Sequence, residues 1–486
     1  MQASPHGSKH FFKLDKIGKA SSSEKFKFYV LRGFIMIKKQ ILTIVAASMT
    51  AALMLAGCGS STDTAATNST SEVATTENAN DEAGKVTDDN TAASGEGEST
   101  SEQDASGADA KEESGDSDSS KESEAEQEQV AVHGIRERSD EMRDISAKEL
   151  VAEMTAGWNL GNTLEATSAD GLASETSWGN PKVTKELIDA VCEKGFDSIR
   201  IPITWGNHVS EAPDYTIDPA WMDRVEEVVN YALDDGMYVL IDSHHEEFWR
   251  IPDPEHIEEV DAENIAIWKQ VAERFKDYGD HLVFEGLNEP RTKGSANEWS
   301  GGTPEERECV NRLNNSFVDT VRATGGNNEK RLLLVTTYAD SSVPEAIASI
   351  EVPEDDHIAV AIHAYEPYAF TYANGESWEL FKWDGSQNGG IIKLMTSLNS
   401  AFLKKDIPVL LTEYGAVNKD ENTEEVNKWA QVYVSKATEY GIPCFWWDNG
   451  IYNQQGEKFA ILDRKNLKWY KEEVVDTIIR ESYKEY

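Results

Sequence analysis

From Ile135 to Tyr486, short runs of apolar residues alternate with longer stretches in which apolar and polar positions recur at helical spacing. The short runs are Met154–Asn159, Ser198–Ile203, Met237–Asp242, Leu282–Glu285, Leu332–Thr336, Ile358–His363, Val409–Glu413 and Pro443–Trp447. They are nearly continuous in apolar character, as strands of a parallel sheet covered on both faces must be. The helical stretches between and after them are Thr184–Lys194, Pro219–Asp235, Ala262–Tyr278, Pro304–Ala323, Pro344–Ile350, Ile391–Lys404, Glu424–Tyr440 and Leu467–Lys484. Several open on a proline or an acidic first turn, the chemistry of a helix start. Gly195, Gly236, Gly279 and Gly441 stand just past helix ends, where a left-handed cap is expected. Eight β-α units over about 350 residues predict an α/β fold, a (β/α)8 TIM barrel with extended loops. An open doubly wound sheet would want a glycine-rich phosphate turn after its first strand. Gly157-Trp158-Asn159-Leu160-Gly161-Asn162 lacks that spacing.

The chain before the barrel has another character. Residues 1–35 carry no periodicity and are expected to be unstructured, an over-extended start. Residues 36–58 have a charged beginning at Lys38 and Lys39, then an apolar run from Ile41 to Leu55, then Ala56, Gly57 and Cys58. That order predicts a signal peptide. Its ending resembles a bacterial lipobox, in which Cys58 becomes a lipidated N-terminus. The apolar run is short for a membrane span. Residues 59–134 are rich in Ser, Thr, Asp and Glu with almost no large apolar side chain, and predict a disordered, self-repelling acidic linker. The expected organisation is therefore signal, linker and one barrel over 135–486, on the cell surface.

The formal net charge of −42 excludes nucleic acid and anionic headgroups as partners, since both are polyanions. The only membrane attachment expected is the lipid at Cys58. A neutral polysaccharide is not repelled. Of the four cysteines, Cys192, Cys309 and Cys444 fall in helix or core-strand stretches and predict buried free thiols. No cysteine spacing suits a metal. In His244-His245-Glu246-Glu247, successive strand residues face opposite ways and chelate poorly, so neither a metal nor another cofactor is expected.

A barrel builds its active site from the C-terminal ends of its strands. Here those ends carry Asn159 and Asn162, Arg200, His244 and His245, Asn288 and Glu289, His363 and Tyr365, Glu413 and Tyr414, and Trp446 and Trp447. Polar groups on buried strands are costly unless paired or used. The fourth and seventh strands each deliver one glutamate, Glu289 before a strand-ending proline and Glu413 before Tyr-Gly. Two carboxylates facing each other across a barrel axis suit glycoside hydrolysis, one as general acid and one as nucleophile or activator of water. Their separation, which decides between retention and inversion, is not in the sequence.

The motifs G-W-N-L-G-N-T (157–163), S-I-R-I-P (198–202), D-S-H-H-E (242–246), E-G-L-N-E-P (285–290), H-A-Y (363–365), T-E-Y-G (412–415) and W-W-D-N (446–449) together resemble glycoside hydrolase family 5, in its bacterial endoglucanase and xyloglucanase branch. The resemblance implies a retaining mechanism with Glu289 as acid/base and Glu413 as nucleophile. It implies that Arg200 and Tyr365 hold Glu413 ionised, that Asn288 bonds the sugar 2-hydroxyl, and that His363 lies beside Glu289. His244, His245 and Asn159 would line the site, and a strand-8 tryptophan, Trp446 in preference to Trp447, would be the sugar platform. Arg200 has a structural alternative, an ion pair with Glu285. Asn159 and Asn162 have one too, satisfying loop backbone. Trp205, His208, Trp249, Trp378 and Trp383 lie on loops, and some are expected to stack on sugars. The expected protein is a secreted endo-β-1,4-glucanase with a monomeric catalytic domain and a β-glucan substrate. Xyloglucan, mixed-linkage glucan, mannan and xylan are the rival polymers. A non-catalytic glucan-binding lipoprotein and a transporter-type sugar-binding lipoprotein are the rivals of another class.

Overall fold

The computed structural model describes residues 134–419, 422–454 and 456–486. The segments expected at 1–35, 36–58 (with Cys58) and 59–134 lie outside them, apart from Gly134. Eight parallel strands close into a barrel in sequence order. They are β1 (Ala156–Leu160), β2 (Ser198–Ile201), β3 (Tyr238–Asp242), β4 (Leu282–Glu285), β5 (Leu333–Ser341), β6 (Ile358–His363), β7 (Val409–Tyr414) and β8 (Cys444–Asp448). Trp158 of β1 pairs with Ile199 on one side and with Trp446 on the other, which closes the ring. The principal outer helices are α2 (Lys185–Glu193), α3 (Pro219–Asp234), α4 (Ile257–Arg274), α5 (Pro304–Ala323), α6 (Pro344–Ser349), α8 (Asn388–Ala401), α9 (Thr423–Glu439) and α10 (Glu472–Ser482). Helix α5 starts as its sequence requires, with Pro304 in the first turn and a reciprocal Thr303–Glu306 capping box.

Period-two alternation sorts each strand into two layers. Ile199 and Ile201, Val239 and Ile241, and Leu282 and Phe284 face the helices and join the large outer core. Leu240, Val283, Leu334, Ala361, Leu410 and Phe445 meet inside the barrel. The inner core is closed from below by Leu150 and Val151 of a short helix, α1 (Ala147–Val151), and by Met154. Above this apolar floor the inward positions turn polar: Asn159, Arg200, Asp242 and Glu285, all fully buried. The floor fixes the height of the polar layer, and the polar layer is the base of the site.

The structure departs from the expected elements in several places. Helix α1 was not foreseen, because five residues are too few to show a period. The helix expected over 262–278 runs from Ile257 to Arg274, and Gly279 lacks a left-handed φ, unlike Gly195, Gly236 and Gly441. Helix α10 starts at Glu472, since Leu462–Asp463 (β9) and Lys468–Trp469 (β10) form a small antiparallel pair. Cys192, Cys309 and Cys444 are buried free thiols. Among the described residues no helix is long and apolar enough to cross a membrane.

Candidate active site

Strand β7 is where local geometry decides the chemistry. Strict alternation from Leu410, which points inward, would aim Glu413 at the helices. The pairing of β7 with β6 instead shifts register, from Ile362 against Leu411 to His363 against Glu413. Two consecutive residues then reach the interior. Thr412 bonds Glu285 at 3.3 Å, Glu413 bonds Arg200, and Tyr414 returns to the outer core against Tyr433. A bulge re-aims a side chain in this way. Glu289 is delivered differently. It sits just beyond β4 in the loop before α5, with a left-handed φ of 42°.

Arg200 is the hub of the polar layer. Its guanidinium donates to Glu285 at 2.6 and 3.2 Å, to Asn288 Oδ1 at 2.8 Å, to Asn159 Oδ1 at 3.1 Å and to Glu413 Oε1 at 2.9 Å. It also pairs with Asp242 at 2.8 Å. The structural ion pair with Glu285 and the contact to Glu413 therefore coexist. A planar five-donor fork suits this better than lysine would. Asn288 has its carboxamide oxygen committed to Arg200, which leaves its N–H donors for a ligand. The Tyr365 hydroxyl donates to Glu413 Oε2 at 2.8 Å.

His363 lies between the two glutamates. Its Nδ1 is 3.1 Å from Glu289 Oε1 and 3.5 Å from Glu413 Oε2. One oxygen of each glutamate and a His363 nitrogen all lie within 4.8 Å of one another. Burial would lower the imidazole, but Glu413, Asp340 and Glu289 outweigh it and hold His363 at about 9. For Glu289, burial pushes upward while His363 and then Arg291 pull down, leaving it at about 2. Burial pushes Glu413 up, against the charges of His363 and Arg200 and the Tyr365 hydroxyl. These shifts favour the proton on the imidazole, between the two carboxylates.

The pH dependence follows. Below about 9 the three-membered cluster keeps its proton, and above it the proton is lost, so kcat/KM is expected to fall as pH rises through about 9. His363→Asn leaves only carboxyls to hold a proton. Its alkaline limb should move to lower pH, with a reduced plateau, in a kcat/KM profile on a soluble glucan. An unmoved limb would mean that His363 does not set it.

The other residues divide. His244 is buried, bonded through Nδ1 to Asp242 Oδ2 at 2.6 Å, and stacked parallel to Trp447 at 5.7 Å. Burial, with His245 and Arg200, keeps its pKa low and the ring neutral. His245 lies edge-on to His244, 3.4 Å from Glu247 and 5.4 Å from the Trp178 ring, at the rim. Asn159 is part of the Arg200 network. Asn162 is a turn residue with a φ of 55° whose N–H donates to Glu165. The His244–Glu247 run disperses: Glu246 accepts from Trp205 and Gly206 N–H, and Glu247 faces His245 and Arg291.

Trp446 is a correction. It faces outward, 1 % exposed, with its indole N–H on the Phe459 carbonyl and its ring against Tyr414 and Trp429. Trp447 is the inward residue, packed with Val417, Phe459, Tyr365 and Tyr372. Cys444 packs in the outer core, and period two then fixes Trp446 outward and Trp447 inward. Among the loop residues, Trp205, His208 and Trp383 are buried packing, and His208 stacks on Trp221 at 3.8 Å. Trp249 is half-buried and bonded to Glu246. Only Trp378 of these five is exposed, against Tyr368 of the short helix α7 (Tyr368–Thr371).

Three functional neighbours were missed from sequence. Arg291 lies 3.2 Å from Glu289 Oε2 and under the exposed Trp299 ring at 4.5 Å. Arg250 staples the ends of β3 and β4 through Ser243 O at 2.9 Å and Asn288 O at 2.8 Å. Asp340 accepts the Glu289 N–H. Arg291, two residues past Glu289, was within sight, but Arg250 is 38 positions from Asn288 and Asp340 is 51 from Glu289.

A closed parallel barrel with two glutamates facing each other at its C-terminal mouth has the layout of a glycoside hydrolase. The sequence pattern of the cellulase family, glycosyl hydrolase family 5, matches residues 163–453. Endoglucanase A of Ruminococcus albus is 64 % identical over 343 residues, covering 70 % of this chain and 94 % of that protein. Among solved structures, a xyloglucan-specific endo-β-1,4-glucanase from a metagenomic library, in complex with cellotriose, is 47 % identical with a TM-score of 0.67, covering 69 % of this chain and 98 % of that one. A broad-specificity endoglucanase from Ruminococcus champanellensis with bound cellotriose is 41 % identical with a TM-score of 0.68, covering 70 % and 99 %. The chain belongs to glycosyl hydrolase family 5.

Proposed function

We propose that this protein is a retaining endo-β-1,4-glucanase, with Glu413 as nucleophile and Glu289 as acid/base. The observation that carries the mechanism is the short gap between the two carboxylates, whose facing oxygens lie within 4.8 Å. Retaining pairs sit about 5–5.5 Å apart, while inverting pairs need roughly 6.5–9.5 Å to admit a water.

Glu413 attacks the anomeric carbon. Arg200 and Tyr365, one on each carboxylate oxygen, keep the attacking group ionised against its burial and fix its direction. Trp447 supplies the apolar face on which the sugar lies. Asn288, anchored by Arg200, is set to donate to the 2-hydroxyl, a contact that strengthens in the transition state. The proton for the departing oxygen comes from the His363–Glu289 pair. Substrate displaces water from Glu289, the more exposed of the two glutamates, which favours its neutral form. The proton then moves 3.1 Å from the imidazole to the carboxylate that delivers it. In the second half Glu289 takes a proton from water, and that water cleaves the glycosyl-enzyme bond.

The lipobox-like Cys58 supports attachment to the outer face of a bacterial membrane. The substrate is tested by reducing-sugar release and viscosity on carboxymethylcellulose, barley β-glucan, xyloglucan, mannan and xylan with the full chain. A rapid viscosity drop on the β-1,4-linked glucans is expected. Activity confined to mannan or xylan would overturn the substrate, and activity on none would overturn the enzyme.

A further inference from the structure

Three residues at the mouth adopt left-handed backbone conformations that side chains disfavour: Glu289 (φ 42°), Ala339 (φ 56°) and Asp340 (φ 50°). They are tied to one another. The Glu289 N–H donates to the Asp340 carboxyl, and the Ala339 N–H donates to the Pro290 carbonyl at 3.0 Å. Two bonds in opposite directions thus join the turn after β4 to the end of β5. The β5–β6 register is irregular from Thr336 to Ser341, so this end of β5 leaves the ladder to reach across. Asp340 is fully buried, and its Oδ2 also lies 3.9 Å from His363 Nε2, behind the imidazole that touches Glu289. Strain of this kind persists only where the surroundings impose it, and it gathers at functional sites.

We propose that Asp340 is a positioning residue for the acid/base: through the Glu289 N–H it clamps that residue's main chain in the left-handed turn, so that the carboxyl stands against His363 and the departing oxygen. The inference rests on Glu289 being the acid/base. The clamp needs only an acceptor oxygen at this position. Burial pushes the Asp340 carboxyl well above the carboxylate range; His363 pulls against this, and the Glu285 charge adds to it. Of the other charged groups around the imidazole, Glu289 and Glu413 face its Nδ1 side. Asparagine keeps the shape of the carboxyl and one acceptor oxygen.

The test compares kcat/KM on cellotetraose, whose leaving group needs the acid, with that on 2,4-dinitrophenyl β-cellobioside, whose leaving group does not. Asp340→Ala should lose about tenfold or more on the first and less than about threefold on the second, with KM little changed. Asp340→Asn should recover at least about a third of wild-type activity. If Asp340→Ala does not fold, Asp340→Ser replaces it. Amide exchange in the wild-type protein is a separate check, with Glu289 N–H expected to be slow. Equal losses on both substrates, no recovery in Asp340→Asn, or fast exchange at Glu289 would each overturn the clamp. Glu289→Ala run alongside separates the two readings. If it shows no dependence on leaving group, the acid/base assignment has failed; if it does while Asp340→Ala does not, only the clamp has.

Discussion

Glu413→Gln is expected to abolish hydrolysis of every glucan, with kcat/KM down by roughly 10⁴-fold or more. The loss should not depend on the leaving group. An amide cannot form the glycosyl-enzyme bond, so no quality of the departing group compensates. The substitution is close to isosteric, and its remaining oxygen can still accept from Arg200 or Tyr365, so the barrel should persist. The melting temperature is expected to change by only a few degrees. The measurement is kcat/KM on barley β-glucan and on 2,4-dinitrophenyl β-cellobioside, with a thermal scan of both proteins. Residual activity above about a hundredth of wild type on either substrate would take the nucleophile role from Glu413.

That prediction depends on a feature sequence patterning could not reach. Motif order identified Glu413, but the strand's own alternation would have turned it to the helices. The register shift between β6 and β7 brings it inward. A bulge is a property of two strands at once, and its signal is not local. The tryptophan doublet failed for a related reason. Parity along β8 was legible, but its phase was not, because Cys444 gave no sign of which layer it occupied. The barrel itself was legible because eight short apolar runs and eight amphipathic stretches each satisfy a strong local rule.

The support of the site was less visible than its chemistry. Arg200, His363 and Tyr365 end strands, and strand ends are where a barrel keeps its chemistry. Asp340 lies in an irregular extension of β5, four residues past the expected strand end, and Arg250 lies in a loop. Each works by holding backbone from another strand, and such pairings emerge only with the fold. The loop tryptophans were over-read. Of the four named, Trp205 and Trp383 are core, since a long loop in a large barrel must build a small core of its own, as Trp383 does against Phe370.

Glu289→Ala should show the opposite dependence on leaving group. On cellotetraose the loss of the general acid is expected to cost about 10²–10⁴-fold in kcat/KM. On 2,4-dinitrophenyl β-cellobioside the first step should be nearly unaffected, because that phenolate departs without a proton. The glycosyl-enzyme should then accumulate as a burst, since the variant also lacks the base that activates water. Sodium azide, a nucleophile needing no base, should restore turnover. Its product carries the geometric information. Attack from the side Glu289 once faced, opposite the Glu413 ester, gives β-cellobiosyl azide, retained relative to substrate. An α-azide, read from the anomeric coupling in its NMR spectrum, would mean that azide had displaced the leaving group directly from the side of Glu289, and the two glutamates would exchange roles. No rescue, with equal losses on both substrates, would remove Glu289 from proton transfer altogether.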